Sequence, residues 1–314
     1  MRTTKRLDPR KFIDPLCTVA GEERACVQPS RLKTLWVNTG TLCNITCANC
    51  YIESSPRNDR LVYLKTSEVR AVLEEIEKGD FGTTEIGFTG GEPFLNPEIT
   101  AMLEDCLSRK FQVLILTNAM KPMQNKRDQL LGLNHWFGDR LKLRVSIDHY
   151  EQATHEAERG IGSWASMLEG IKFLSDNNFQ FDIAGRTRWN QVENELREGF
   201  SQMFDEQGIK IDAHDPIALT LFPEMDQGID VPEITSACWD ILGVDPGSLM
   251  CATSRMLVKR KGASKPSLVA CTLLPYDKQF EMGETVEESW REVSLNHPHC
   301  AKFCVLGGGS CSAG

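Results

Sequence analysis

The sequence predicts an α/β fold built on a parallel sheet. Three observations carry that expectation. After residue 30, short apolar runs alternate with amphipathic helical segments; the alternation counts six strands and five helices; and the residues suited to chemistry fall just after the strands. Strict βα alternation implies parallel strands joined by right-handed crossovers. Six such units fit either an open doubly wound sheet or a partial barrel. In both, the loops at the carboxyl ends of the strands carry the site.

The elements follow in order. "LWVNTG" (35–40) is a short apolar run ending in glycine and reads as the first strand. "TSEVRAVLEEIEKG" (66–79) opens on Thr-Ser, spaces Val69, Val72, Leu73 and Ile76 helically and closes on Gly79. "EIGFTGG" (85–91) is the second strand, and "PEITAMLEDCLSRK" (97–110) a helix opened by proline. The unbroken apolar run of "QVLILTN" (112–118) reads as a strand buried on both faces. A helix over 123–134, a strand over 142–148 and a helix over 163–177 come next. A strand over 180–186, a helix over 192–208 and a sixth strand, "IKIDAH" (209–214), complete the pattern.

From about 215 the rhythm breaks. Residues 216–235 are rich in Pro and Asp and read as a linker. Residues 236–314 hold two short apolar runs (256–258 and 268–274), one short helix (285–293) and a Gly-rich end. So little apolar sequence suggests a subdomain stapled by metal rather than by a core.

Composition sets bounds on function. The 314 residues are 41% hydrophobic and 25% charged, ordinary values for a globular chain with a sizeable core. A net charge of −9 weighs against a general nucleic-acid binder. No apolar run reaches the roughly 18 residues of a membrane span, and the basic start "MRTTKRLDPRKF" leads into no apolar stretch. The expected location is cytoplasmic. Twelve cysteines in such a chain point away from disulfides and towards metal.

The cysteines are unevenly placed. Cys43, Cys47 and Cys50 sit in "CNITCANC", while Cys251, Cys271, Cys300, Cys304 and Cys311 crowd the last 64 residues. Thiolates are soft ligands for zinc, copper(I) or iron–sulfur clusters. Three on one loop can hold three irons of a [4Fe–4S] cube and leave the fourth iron open. A zinc site that borrows a fourth ligand, or three unrelated thiols, are the competing readings. One βα unit later, Gly90-Gly91-Glu92-Pro93 ends the second strand. Two glycines allow a close backbone approach, and the carboxylate accepts hydrogen bonds from an ammonium group.

"CNITCANC" together with "TGGEP" resembles the radical S-adenosylmethionine (radical SAM) superfamily, with "TN" and "SID" as weaker support, over about residues 31–215. The resemblance, not the periodicity, implies a (β/α)6 partial TIM barrel with a small cysteine-rich C-terminal subdomain. It implies that Cys43, Cys47 and Cys50 ligate a [4Fe–4S] cluster whose open iron takes the amine and carboxylate of S-adenosylmethionine. Gly90, Gly91 and Glu92 would hold the amine. Thr117 and Asn118 would line the pocket floor, and Ser146 with Asp148 would meet the ribose or methionyl part. Arg159 stands where relatives place an arginine for the carboxylate; a solvated helix-end arginine is the competing reading. The position before the third cysteine, often aromatic in the family, is Asn49, and Tyr51 follows the cysteine instead as the candidate aromatic contact.

The C-terminal cysteines resemble a SPASM or Twitch extension. That implies a second, auxiliary [4Fe–4S] cluster held by four of Cys251, Cys271, Cys300, Cys304 and Cys311; a zinc knot is the competing reading. Cys106 and Cys238 read as core, and His297 and His299 as exposed or as spare ligands. The implied function is reductive cleavage of S-adenosylmethionine to a 5′-deoxyadenosyl radical, which abstracts a hydrogen atom from a small-molecule or peptide substrate. An electron donor such as flavodoxin or ferredoxin is implied too. Only about 30 residues precede the first strand, too few for a peptide-recognition domain. That favours a small molecule, or a peptide brought by a separate partner. An RNA-modifying enzyme and a zinc or iron–sulfur scaffold are the remaining alternatives.

Overall fold

The structure, a computed structural model, describes residues 5–189, 191–223 and 226–309. Six parallel strands run in chain order: β1 (Thr34–Asn38), β2 (Glu85–Thr89), β3 (Gln112–Thr117), β4 (Leu141–Ser146), β5 (Gln180–Arg186) and β6 (Leu219–Phe222). Between them lie α1 (Thr66–Gly79), α2 (Ile99–Ser108), α3 (Arg127–Phe137), α4 (Gln152–Arg159), α5 (Ser163–Asp176) and α6 (Glu193–Gln207). A doubly wound sheet reverses its strand order at a switch point. Here the order never reverses from β1 to β6, so the sheet grows in one direction as a (β/α)6 partial barrel does.

Period-two alternation divides the strands' side chains between two faces of the sheet. Leu35, Val37, Ile86, Phe88, Ile115, Val145 and Ile183 face the helices and join the apolar residues of α1, α2 and α5 in one buried cluster. Trp36, Leu114 and Met256 point to the other face and belong to a second cluster. At the head of α1, the Lys65 amide donates to Glu68 Oε2 (2.9 Å) and the Thr66 amide to Glu98 Oε2 (2.7 Å). Those carboxylates satisfy N–H groups that the helix itself cannot.

The sheet does not end at β1. Strand β7 (Ser254–Val258) lies parallel to β1, and β8 (Ser267–Val269) and β9 (Glu281–Gly283) continue it antiparallel. The C-terminal segment therefore brings its own core. Val258, Val269, Phe280, Met282, Ala301, Phe303 and Val305 are all buried in the second cluster. The expectation of a segment stapled by metal alone is corrected: its two short apolar runs pair as β7 and β8, and residues such as Phe280, Met282 and Phe303 from later segments complete a core that a run-based reading does not add up.

Two boundaries also shift. The sixth strand is Leu219–Phe222, inside the stretch read as a linker, and 209–214 is not a strand. Ile209 and Ala213 are buried in the first core without sheet pairing, and Asp215-Pro216 forms a turn before the chain extends. The helix expected over 123–134 is two helices, Lys121–Gln124 and α3. Helix α4, unanticipated, lies inside "EQATHEAER". The N-terminal extension is tied down rather than loose. Cys26–Val27 pairs with Val293–Ser294, and Arg24 makes a buried ion pair with Glu233 at 2.5 Å.

Candidate functional site

The site grows from the carboxyl ends of β1 to β5. The chain leaves β1 through Thr39-Gly40-Thr41 and enters the cysteine loop. The end of β2 comes very close to it: the Gly91 amide donates to Gly40 O (2.9 Å) and the Glu92 amide to Leu42 O (3.1 Å). A Cβ at Gly91 would stand 2.2 Å from Leu42 O; at Gly90, whose φ is +139°, it would stand 2.5 Å from Gly40 O. The two glycines are therefore required by the approach of one backbone to another. They bring the "GGEP" turn against the base of the cysteine loop.

Glu92 completes that junction. It is buried; its carboxylate accepts from the Asn118 amide (2.9 Å), Thr117 Oγ1 (3.0 Å) and the Phe94 amide (3.2 Å). It joins the ends of β2 and β3, and it does not line the cavity that the other residues share. Burial pushes its carboxyl up to about 7, against the pull of those three donors. Asn118 reaches on to the loop, donating from Nδ2 to Asn44 Oδ1 (2.9 Å).

Cys43, Cys47 and Cys50 line one cavity with Tyr51, Gly90, Gly91, Thr117, Asn118, Ser146, Asp148 and Arg159. Residues from 43 to 159 thus meet at a single place. Burial pushes the Cys43 thiol up to about 12, helped by the Glu92 charge. Burial likewise takes Cys47 to about 11, with Arg159 pulling the other way. Buried thiols of this kind become thiolates only when a cation takes the proton's place. Among the described residues, no three His, Cys, Asp or Glu side chains converge on a single-ion site. The three thiols border one shared volume, as the ligands of a polynuclear cluster would. The Cys50 sulfur already accepts a hydrogen bond from the Ser54 amide (3.3 Å).

Arg159 ends α4 and is not a solvated helix-end residue. Its guanidinium makes a two-point contact with Asp148, Nε to Oδ2 at 2.8 Å and Nη2 to Oδ1 at 3.1 Å. Burial alone would raise the Asp148 carboxyl, but Arg159 overrides it and holds it below the ordinary value. Asp148 thereby orients a cation at the cavity wall, close enough to Cys47 and Cys43 to feel both thiols.

Several contributors escaped the sequence reading. Glu158, Arg186, Leu273 and Phe303 matter here, the last two carried in from the C-terminal segment to close the cavity of about 170 Å³. A second cavity of about 1070 Å³ adjoins it. The two share Asn49, Cys50, Tyr51, Arg186 and Leu273, and the outer one adds Arg60, Tyr276, His297, His299 and Lys302. Tyr276 is fixed to the loop region, its hydroxyl donating to Ile52 O (2.9 Å) with Arg60 3.6 Å over its ring. Arg60 also pairs with Glu53 at 2.7 Å. The two histidines are buried to half-buried and not exposed.

The C-terminal cysteines also approach one another. Cys251 precedes β7, Cys271 follows β8, and the antiparallel register of Met256 opposite Val269 puts both at the amino end of β7. Burial raises the Cys300 thiol, with Cys271 and Cys251 close enough to add to the shift. Cys304 follows Cys300 by four residues on the helical segment Cys300–Val305. Cys311 lies outside the described residues. Cys106 is fully buried in the first core, and Cys238 packs against the second.

Known proteins share these features. The radical SAM superfamily profile matches residues 37–185. The chain is 31% identical over 144 residues to the antilisterial bacteriocin subtilosin biosynthesis protein AlbA of Bacillus subtilis, covering 45% of this chain and 30% of that protein. It is 23% identical over 137 residues to the mycofactocin maturase MftC of Mycolicibacterium smegmatis, covering 44% and 33%. The matched stretch thus spans about a third of these relatives' length. Streptococcus suis SuiB, solved with its precursor peptide SuiA, superposes with a TM-score of 0.59 at 13% identity, covering 84% of this chain and 65% of that one. With the cysteine loop, the "GGEP" turn and the strand order all in place, residues 37–185 are the part of the chain that matches the radical SAM superfamily.

Proposed function

We propose that this chain is a radical SAM enzyme that binds a [4Fe–4S] cluster on Cys43, Cys47 and Cys50 and binds S-adenosylmethionine beside it. The observation that carries this is the shared cavity, where those three cysteines meet Gly90, Gly91, Asn118, Ser146 and Arg159. When reduced, such a cluster supplies the electron that splits the S-adenosylmethionine carbon–sulfur bond, giving methionine and a 5′-deoxyadenosyl radical that takes a hydrogen atom from the substrate. The chain's residues bind and orient. The backbone at Gly90 and Gly91 offers carbonyl groups to the amine, and Glu92 fixes that wall from behind. Arg159, aimed by Asp148, takes the carboxylate. Ser146 and Tyr51 face the nucleoside part. Leu273, Phe222 and Phe303 keep water from the reacting atoms.

The substrate is a peptide or small molecule that reaches the inner cavity through the outer one. At about 1070 Å³, the outer cavity lies at the upper end of the range for small ligands and leaves room for a peptide segment presented by a separate partner. The peptide-processing relatives support that choice, whereas the net charge of −9 weighs against an RNA substrate. Cys251, Cys271, Cys300 and Cys304 would hold an auxiliary [4Fe–4S] cluster. No helix among the described residues is long and apolar enough to cross a membrane, and we place the chain in the cytoplasm with a flavodoxin or ferredoxin as electron donor. Incubating anaerobically reconstituted protein with S-adenosylmethionine and dithionite tests the reading. Release of 5′-deoxyadenosine supports it; S-adenosylmethionine left unbound and intact favours a metal-binding scaffold.

A further inference from the structure

The cysteine loop is gripped at one point that the motif does not include. Glu158 is 6% exposed, and both of its carboxylate oxygens point at the loop. Oε1 accepts from the Asn49 amide (2.9 Å) and Oε2 from Asn49 Nδ2 (2.9 Å). Its backbone carbonyl accepts from the Ala48 amide (2.8 Å). Behind it, Arg186 Nη1 reaches Oε1 (3.1 Å) and Arg188 Nη1 reaches Oε2 (2.7 Å). Arg186 also donates to Asn49 O (3.3 Å). Asn49 therefore has its amide, side chain and carbonyl all held. It lies between Cys47 and Cys50, so holding it fixes the spacing of two of the three thiols.

We propose that Glu158 is the positioning residue of the cysteine loop, presetting the Cys47–Cys50 turn for its cluster through Asn49. The proposal rests on the reading of Cys43, Cys47 and Cys50 as cluster ligands. Two physical arguments support it. A bidentate carboxylate anchored by two guanidinium groups cannot swing, so it transmits the rigidity of α4 and β5 to a loop without regular structure. A carboxylate near thiolates would by itself oppose cluster binding, and Arg186 and Arg188 offset that charge. The consecutive residues Glu158 and Arg159 then act on different parts of the site. Glu158 holds the loop, while Arg159 faces the cavity with Asp148.

The test compares wild type with Glu158→Gln, Glu158→Ala, Asn49→Ala and the Glu158→Ala/Asn49→Ala double variant. Two quantities are read: amide hydrogen exchange of residues 47–50 in metal-free protein, and the rate of iron loss to a chelator after reconstitution. Glu158→Ala should raise exchange in that turn and speed iron loss about tenfold, with exchange in β4 unchanged. Glu158→Gln should fall between, since an amide keeps one acceptor. Asn49→Ala, which loses the side-chain bond but keeps its amide bond to Oε1, should move both readouts in the same direction by less than Glu158→Ala, and the double variant should be no worse than Glu158→Ala alone. Unchanged exchange and iron retention in both Asn49→Ala and Glu158→Gln overturn the proposal, as does full additivity in the double variant. If Glu158→Ala does not fold, those two milder variants still decide. Wild type that takes up no iron overturns the ligand reading instead.

Discussion

The two cysteine groups are built in opposite ways. The first gathers three thiols from eight residues of one loop, and the rest of the molecule is arranged to hold that loop. Backbone contacts with Gly90 and Gly91 fix its base, Asn118 its start and Glu158 its middle. The second draws Cys251, Cys271 and the Cys300/Cys304 pair from three separate segments and brings them towards one another by strand pairing and apolar packing. In the first, a polar network positions a short motif; in the second, the fold itself is the scaffold. A motif of the first kind is readable in sequence because its ligands are neighbours there. A site of the second kind is readable only once β7 and β8 are known to pair.

The strongest test of this contrast is to empty the two groups separately. Replacing Cys43, Cys47 and Cys50 by Ala should lower iron from about eight to about four per chain and abolish S-adenosylmethionine cleavage. The fold should survive, because only Cys43 is deeply buried and the sheet does not depend on the loop. Replacing Cys271 and Cys300 by Ser should leave about four irons and preserve S-adenosylmethionine binding. It should lower thermal stability as well, because Cys300 is part of the second core. If the first variant retains no iron, the C-terminal thiols hold no cluster and the contrast collapses.

The sequence makes the first site legible for a physical reason. Strand ends and the glycines between them are local features, so the positions of Cys43, Gly90, Asn118 and Ser146 follow from five correctly placed strands. The sixth strand is missed because "IKIDAH" has strand-like composition while Ile209 and Ala213 fill the core from an unpaired loop. Glu158 is missed because a carboxylate in a polar helix reads as a solvated residue. Its partners, Asn49, Arg186 and Arg188, lie 109, 28 and 30 positions away. The surroundings of Glu92 are hidden for a related reason: sequence shows a carboxylate beside two glycines, and only the fold shows the three donors that it accepts from. The C-terminal core is missed because its two apolar runs are short and its other members, from Phe280 to Val305, are spread over separate short segments.

A smaller effect separates recognition from folding at the first site. Arg159→Gln should weaken S-adenosylmethionine binding about tenfold to a hundredfold, by loss of the carboxylate's cationic partner. It should also destabilise the fold by about 3 kcal/mol, because Asp148 is left charged and buried without its ion pair. Adding Asp148→Asn should restore most of the stability and none of the binding. Recovery of both would mean that the pair is a structural bridge and that another group meets the ligand. Calorimetric binding beside thermal unfolding distinguishes the two outcomes.

The mildest test concerns Glu92, which joins β2 to β3 behind the cavity. Its folded carboxyl titrates near 7 against an ordinary value of 4.5, so between those values the folded state holds a proton that the unfolded chain has released. Stability of the metal-free protein should therefore fall as pH rises across that window, by at most about 3 kcal/mol. Glu92→Gln removes the titration and should flatten the slope. The amide oxygen can keep the Thr117 and Phe94 donors but gives up the Asn118 amide, a loss of about 1 kcal/mol below pH 4.5. The variant should thus be the less stable protein in acid and the more stable one above pH 7, with the curves crossing between. Denaturant unfolding across a series of pH values reads this directly. Parallel curves without a crossing would show that the Glu92 carboxyl titrates alike in the folded and unfolded chain, its three donors offsetting burial, and would overturn the expected slope.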